Sequence, residues 1–133
     1  MTILRTGLDL IEINRLESLN PNIRQRFLKR VFTEQELEDI AGKDPSSAWA
    51  TLSGRFAAKE AVAKALGCGI GRVAWKDIEI CRGVNGEPVL KLHGEAYRLS
   101  QASGLETWAL SISHTRTHAA AVAVAIGSSA PEK

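Results

Sequence analysis

The longest stretch of helical periodicity lies between the Pro-Ser-Ser sequence at residues 45–47 and a glycine cluster that begins at Gly67. Four apolar side chains fall on one face of this helix at about 100° per residue: Trp49, Leu52, Phe56 and Ala63. Glu60 falls on the same face. A core-facing stripe should be apolar, and a buried carboxylate is costly without a partner. Either a cation compensates Glu60, or the helix is less buried than its pattern predicts.

Three shorter helices are predicted outside this segment. One follows Pro21 and extends to Val31, with apolar residues at helical spacing. A T-x-x-E capping box at residues 33–36 begins the next, which we expect to continue through about Ala41. The third covers residues 94–103, before a glycine. All three lie near strand-like segments in the chain.

Five segments have patterns typical of strands: residues 4–13, 77–81, 88–92, 108–113 and 119–126. The dipeptide Asn85-Gly86 between the second and third segments indicates a hairpin. The short link at 114–118 predicts another hairpin between the last two segments. The final strand is apolar on both of its faces, which is unusual for an exposed sheet.

These elements predict one α+β domain over residues 1–126, in which a long helix packs on a small antiparallel sheet. The chain of 133 residues is long enough for one well-formed core. Residues 127–133 are polar, and we expect them to form a loose C-terminal tail.

Composition narrows the classes of function. A net charge of +2 is too small to indicate nucleic acid as a general partner. No apolar run approaches the roughly 18 residues that span a membrane, and the N-terminal residues lack a signal-peptide pattern. Cys68 and Cys81 have no metal-ligand spacing, so we expect reduced thiols in a cytoplasmic protein.

Two carboxylates are candidates for metal binding. Asp9 interrupts an apolar strand pattern, although aspartate is a poor strand former. Taken alone, Asp9 could cap a strand or helix, and Glu60 could form an ion pair with Lys64 one turn on. That pair does not explain why Glu60 lies on the apolar stripe. Two carboxylates at an apolar junction are typical of Mg²⁺ sites.

Several cations accompany these carboxylates. Arg55, Lys59 and Lys64 lie within three turns of Glu60. Such cations are often merely solvated, but beside a metal-bound carboxylate they would bind phosphates. His114 ends a strand, and a single histidine there is more often structural than functional.

A basic segment covers residues 24–30, with four cations and no acid. Arg26, Lys29 and Arg30 share one helical face. The usual explanation is a solvated surface, and the alternative is a docking patch for an acidic partner.

Four stretches together resemble a known family. GLDLIEINR at residues 7–15 resembles the G-x-D-x-x-x-x-x-R motif of 4′-phosphopantetheinyl transferases, and GRFAAKEAVAKALG at 54–67 resembles their [W/F]-x-x-K-E-A-x-x-K motif. RVFTEQEL at 30–37 and LSISHT at 110–115 are similar to the short, single-domain holo-[acyl-carrier-protein] synthase branch. The similarity extends from about residue 3 to residue 126.

The resemblance implies the fold of that family and an activity in fatty acid biosynthesis. Such enzymes transfer the phosphopantetheine arm of coenzyme A to a serine hydroxyl of apo acyl carrier protein and release adenosine 3′,5′-bisphosphate. By similarity, Asp9 and Glu60 hold Mg²⁺, and Glu60, or a metal-held water that it orients, is the base. Lys64 is the third residue that we expect in catalysis.

The resemblance also implies which residues meet the substrates. Contacts to coenzyme A are expected from four side chains: Arg55, Lys59, Lys64 and His114. Contacts to the acidic carrier protein are expected from four others: Arg15, Arg24, Arg26 and Lys29. The family places the coenzyme A cleft between the subunits of a homotrimer.

Two other classes of function compete with this hypothesis. One is a small RNA- or carrier-binding module that uses the basic segment without catalysis; it lacks the interleaved aromatic residues that favour single strands. The other is a Mg²⁺-dependent hydrolase of nucleotide diphosphates, which would share the metal site but use water.

Overall fold

One long helix lies between a three-stranded antiparallel sheet and a separate two-stranded hairpin in the computed structural model, which describes residues 1–69 and 71–129. The strands are β1 (Thr2–Glu12), β2 (Ile78–Arg82), β3 (Pro88–Leu92), β4 (Leu105–His114) and β5 (His118–Ser128). The helices are α1 (Ile13–Glu17), α2 (Pro21–Val31), α3 (Glu34–Glu38), α4 (Pro45–Leu66) and α5 (Gly94–Ala102). The predicted α+β class is confirmed.

The larger sheet has the order β1-β5-β4, so the first and last strands of the chain are neighbours. Alternate residues of β5 face α4 and are buried, and all four are alanines: Ala119, Ala121, Ala123 and Ala125. Small side chains at these positions allow the helix to lie close to the sheet. Asp9 is placed opposite Ala121 by this register, on the same face.

The other face of this sheet is apolar and uncovered in the monomer. Leu4, Leu8 and Leu10 of β1 are each more than 60% exposed, and Ile126 of β5 is 45% exposed. This agrees with the expectation that the last strand is apolar on both faces. Exposed apolar surface of this kind marks interaction sites more often than plain solvent contact.

Local signals determine both ends of α4. The Asp44 side chain accepts a hydrogen bond from the Ser47 N–H at 3.1 Å, and Pro45 occupies the first turn. Gly67 ends the helix in the left-handed conformation with φ of 75°. The boundaries predicted from the prolines and glycines are therefore confirmed.

The burial of α4 differs from the prediction. Leu52 and Ala63 of the apolar stripe are buried, but Phe56 and Glu60 are only partly buried. The fully buried sides consist mainly of small residues: Ala57, Ala58, Ala61, Val62 and Ala65. The stripe of large side chains is thus the border of an open cleft and not the centre of the core.

Several boundaries also differ from the sequence prediction; strand β4, for example, begins at Leu105 instead of Trp108. Helix α3 ends at Glu38 instead of Ala41, and its capping box at Thr33 is confirmed. Strand β5 extends to Ser128, because Gly127 and Ser128 pair with the first residues of β1. The predicted tail therefore begins later than residue 127, and residues 130–133 lie outside the described residues.

Cys68 and Cys81 are free thiols. Within residues 1–69 and 71–129, no helix has the length and apolar character needed to cross a membrane.

Candidate functional site

A cleft of about 530 Å³ opens where β1, α1, α2 and α4 meet. Asp9 and Glu60 both line it, as the sequence predicted for a shared metal site. The rest of its wall is largely apolar and comes from Leu10, Ile11, Leu16, Leu19, Ile23, Phe27 and Phe56. Ile23 and Phe27 carried a helical signal in the sequence, but nothing there indicated that they form the wall of a site.

Close packing of β1 on α4 brings the two carboxylates to the same cleft. Gly7 lies two residues before Asp9 on the helix-facing side of the strand. A Cβ atom on Gly7 would overlap the main-chain carbonyl oxygen of Ala61, the residue after Glu60. The glycine therefore permits a backbone contact that any larger residue would prevent.

The carboxylates influence each other electrostatically. Burial raises the pKa of Glu60, the nearby Asp9 carboxylate raises that pKa further, and Lys64 opposes both effects. Lys64 Nζ donates to the Leu8 carbonyl at 2.8 Å and to Asp9 Oδ1 at 3.3 Å. The Lys64 side chain is 53% exposed, so it remains accessible to a ligand. The Glu60–Lys64 ion pair considered from sequence is replaced by an Asp9–Lys64 pair.

The donor set suits a hard divalent cation. Two carboxylates in a partly buried cleft supply oxygen ligands, and a cation between them would offset both the burial and the Asp9 repulsion that raise the pKa of Glu60. No group of three or more His, Cys, Asp or Glu residues with metal-binding geometry occurs in the part of the chain that the structure describes. Further ligands would have to come from water or from a substrate, as is common for Mg²⁺.

Lys59 has a different environment from the one predicted. Its side chain is fully buried, and Nζ donates to Glu36 Oε1 at 2.9 Å, to the Trp75 carbonyl at 3.1 Å and to the Ile78 carbonyl at 2.5 Å. An ammonium group has three donors, so none remains for a phosphate. Contrary to the sequence prediction, Lys59 is part of the core. Burial lowers its pKa, and Glu36 opposes that shift.

Arg55 and His114 lie outside this cleft. Both line a second depression of about 210 Å³ between α4, β4 and the β2–β3 hairpin. Arg55 is only 5% exposed, and its Nη2 lies 2.9 Å from Asp39 Oδ2. His114 is exposed. One subunit therefore does not bring Arg55 and His114 to the carboxylates.

The predicted carrier-binding residues lie on and beside the cleft. Arg15 lines it, while Arg26 and Lys29 are exposed on α2, the helix that also contributes the apolar wall. The Arg24 side chain is less available to a partner, because its guanidinium lies 5.7 Å from the Trp49 ring centroid and donates to the Glu17 carbonyl at 3.1 Å. A basic surface thus adjoins the carboxylate site.

A family model described as the 4′-phosphopantetheinyl transferase superfamily matches residues 5–123. The chain belongs to this family. Two holo-[acyl-carrier-protein] synthases, from Natranaerobius thermophilus and Moorella thermoacetica, are 43% and 44% identical to it. Each alignment covers 92% of this chain and 96% or 93% of the relative, respectively. The predicted family membership and the predicted enzyme class are confirmed.

Solved structures support the same assignment. The holo-[acyl-carrier-protein] synthase of Bacillus anthracis, in complex with "CoA (3',5'-ADP)", has a TM-score of 0.78 at 35% identity and covers 96% of this chain and 100% of its own. The enzyme from Helicobacter pylori, in complex with coenzyme A, has a TM-score of 0.77 at 30% identity and covers 90% and 98%. The predicted transferase fold is confirmed by this similarity.

Proposed function

We propose that this protein transfers the 4′-phosphopantetheine group of coenzyme A to a serine hydroxyl of apo acyl carrier protein, with Mg²⁺, and releases adenosine 3′,5′-bisphosphate. The observation that carries the proposal is the Asp9–Glu60 pair on a cleft beside a basic surface. Membership of the transferase family and the coenzyme A complexes of its relatives support the choice of substrates.

Asp9 and Glu60 would hold the Mg²⁺ ion, which would neutralise charge on the pyrophosphate of coenzyme A. Glu60 is partly buried on the cleft, beside the place where the substrates would meet the ion. We assign Glu60 as the group that accepts the serine proton, directly or through a water that it orients. Lys64 is exposed beside Asp9 and would bind a phosphate oxygen.

The second depression would bind another part of coenzyme A. Arg55 and His114 line it, and both can donate to phosphate oxygens. Because this depression and the carboxylate cleft are separate within one subunit, we propose that a neighbouring subunit in a homotrimer brings them together. The apolar outer face of the sheet supports such an assembly.

The oligomeric state has its own test. Light scattering should give a trimer across a dilution series, and activity should fall as the trimer dissociates. Replacing Leu8, which is 65% exposed on the outer face, with Asp should produce monomers that retain secondary structure but lose activity. A stable monomer with full activity would end the trimer proposal.

Mass spectrometry of the carrier tests the central proposal. The protein is mixed with coenzyme A, Mg²⁺ and apo acyl carrier protein, and the carrier is weighed. A phosphopantetheine adduct supports the transferase. Intact coenzyme A without an adduct would leave a binding module, and cleaved coenzyme A with unmodified carrier would indicate a hydrolase.

The carrier surface is tested by charge reversal. Arg26 and Lys29 are exposed, so their replacement with Glu should raise KM for carrier protein, leave KM for coenzyme A unchanged, and lose effect as salt screens the charges. Arg98→Glu on α5 is the matched control, since Arg98 is exposed and does not line the cleft. A rise in KM for coenzyme A alone would assign the surface to the other substrate.

A further inference from the structure

A fully buried ion pair joins α4 to α3 and β2. Glu36 and Lys59 have no exposed surface. Glu36 Oε1 accepts from Lys59 Nζ at 2.9 Å and from the Thr33 N–H at 2.8 Å, while Oε2 accepts from the Ile80 N–H at 3.0 Å. One carboxylate therefore connects the long helix, the capping box of α3 and a central residue of β2.

Lys59 extends these connections. Its two remaining hydrogen bonds go to the carbonyls of Trp75 and Ile78, which stand in a short 3₁₀ turn and at the start of β2. Both charged groups thus have well-oriented partners on fixed backbone. Hydrogen bonds with these directions restrict how α4 can rotate about its axis or slide along it.

The same contacts support one wall of the carboxylate cleft. Phe56 lies one turn before Glu60 on the cleft, and its ring centroid is 5.0 Å from Trp75 and 5.4 Å from Phe27. Trp75 is also an acceptor for Lys59. The buried pair and the aromatic contacts therefore hold α4 at the position where Glu60 points into the cleft.

We propose that Glu36 and Lys59 are positioning residues for the transfer reaction, because they set the rotation of α4 and hence the direction of Glu60. Neither lines the cleft, so they act through the helix and not through contact with a substrate. The inference rests on the proposed transferase function. Stability alone does not require this pair, since apolar residues of similar volume often replace a buried ion pair without loss.

Two variants and one control test this inference at a temperature where all are folded by circular dichroism. Glu36→Gln leaves the buried Lys59 charge unpaired, so its melting temperature should fall. Glu36→Gln combined with Lys59→Met removes both charges, so its melting temperature should recover in part; the recovery is incomplete because the Trp75 and Ile78 carbonyls lose their donor. We expect kcat of both variants to fall roughly 10- to 100-fold, as for a small misplacement of a reacting group. KM for carrier protein should stay within about twofold.

Leu105→Ala is the control for stability. Leu105 is buried at the start of β4, outside the cleft lining, so this change should lower the melting temperature and leave kcat unaltered. Wild-type kcat in the double variant would overturn the positioning role. The role would also be overturned if Leu105→Ala lost as much kcat as a Glu36 variant with a similar drop in melting temperature, because the loss of kcat would then follow stability alone. Absence of transfer by the wild-type protein would instead refute the proposed function itself.

Discussion

Two lysines of helix α4 form ion pairs with carboxylates of other elements, and the surroundings of the two pairs differ. Lys59 pairs with Glu36, and Lys64 pairs with Asp9. In the first pair both side chains are fully buried, and the nitrogen–oxygen distance is 2.9 Å. In the second pair the distance is 3.3 Å, and the side chains are 53% and 20% exposed. The first pair cannot open without leaving a buried charge, whereas water or a ligand can replace either partner of the second. Burial thus separates a structural pair from one that is available for chemistry.

The largest expected effect tests the exposed side of this comparison. Glu60→Gln and Asp9→Asn should each lower kcat by roughly 10²–10⁴-fold, because each removes a negative ligand from the proposed Mg²⁺ site. The fall in kcat of the double variant should be far smaller than the product of the two single falls, since both changes disable one site. Steady-state rates with Mg²⁺ titrated provide the measurement. Near-normal turnover of Glu60→Gln at saturating Mg²⁺ would remove the metal-site argument.

The buried side is tested by stability. Lys59→Met leaves the Glu36 carboxylate without its main cation in the core, and we expect a loss of about 3–5 kcal/mol in the free energy of unfolding. Denaturant titration of Lys59→Met and of the Glu36→Gln/Lys59→Met pair gives the values. If the single change costs less than the double, the buried pair does not behave as a coupled unit.

The pH dependence of stability should reveal the cost of ionising Glu60 in the cleft. The raised pKa of Glu60 means that the folded protein holds this proton more tightly than the unfolded chain does. The resulting stability is complete below the ordinary glutamate pKa of 4.5 and is lost as pH rises through the raised value. Without Mg²⁺, Glu60→Gln should therefore melt higher than wild type at neutral pH.

That advantage should shrink as the pH falls through the raised pKa of Glu60 toward 4.5, and it should be lost below 4.5, where Glu60 is neutral in the folded and in the unfolded protein. Glu106→Gln, at an exposed position of β4, is the control and should show no such gain. A difference between Glu60→Gln and wild type that is the same at every pH would contradict the assignment of the raised pKa to the folded state.

The smallest effect is expected for Lys64→Met. An exposed ion pair contributes about 0–1 kcal/mol, so the melting temperature should hardly change, while KM for coenzyme A should rise if Lys64 binds a phosphate. Lys64→Arg should recover part of that KM, because the charge is kept. A stability loss as large as that of Lys59→Met would show that the two pairs do not differ in the way that their burial indicates.

Local sequence signals predicted most of the elements correctly. Prolines, capping residues and glycines act on their immediate neighbours, which is why the limits of α4 and the hairpin around Asn85-Gly86 were recognisable. The extension of β5 to Ser128 was missed because it depends on pairing with Thr2, at the opposite end of the chain.

The burial of α4 was harder to predict for a specific reason. The helical wheel gave weight to large side chains such as Phe56, but Ala57 and Ala61 are completely buried on a helix that packs against β1 and β5. Small residues bury completely with little area, so a pattern of large apolar positions points to the wrong face. The Asp9–Glu60 pairing was nevertheless predicted, because both carboxylates were anomalous in their apolar settings.

The different environments of Lys59 and Lys64 could not be predicted, since both are lysines near Glu60 on one helix. Their partners, Glu36 and Asp9, are 23 and 55 residues away in sequence. Glu36 already had a sufficient local explanation as the glutamate at position N3 of a capping box. Nothing local indicated that its carboxylate also accepts a hydrogen bond from a buried ammonium.

The contact between Gly7 and Ala61 makes the spacing of the two carboxylates a property of the main chain. Asp9 and Glu60 stand on a strand and a helix whose backbones touch, so this contact limits how far apart their main chains lie, while the role proposed for the Glu36–Lys59 pair is to set the rotation of the helix. A change confined to the side chains of the cleft wall would therefore leave this main-chain distance unaltered. A side chain at position 7 would have the opposite effect, since it would move the two carboxylates apart while every residue of the cleft remained unchanged.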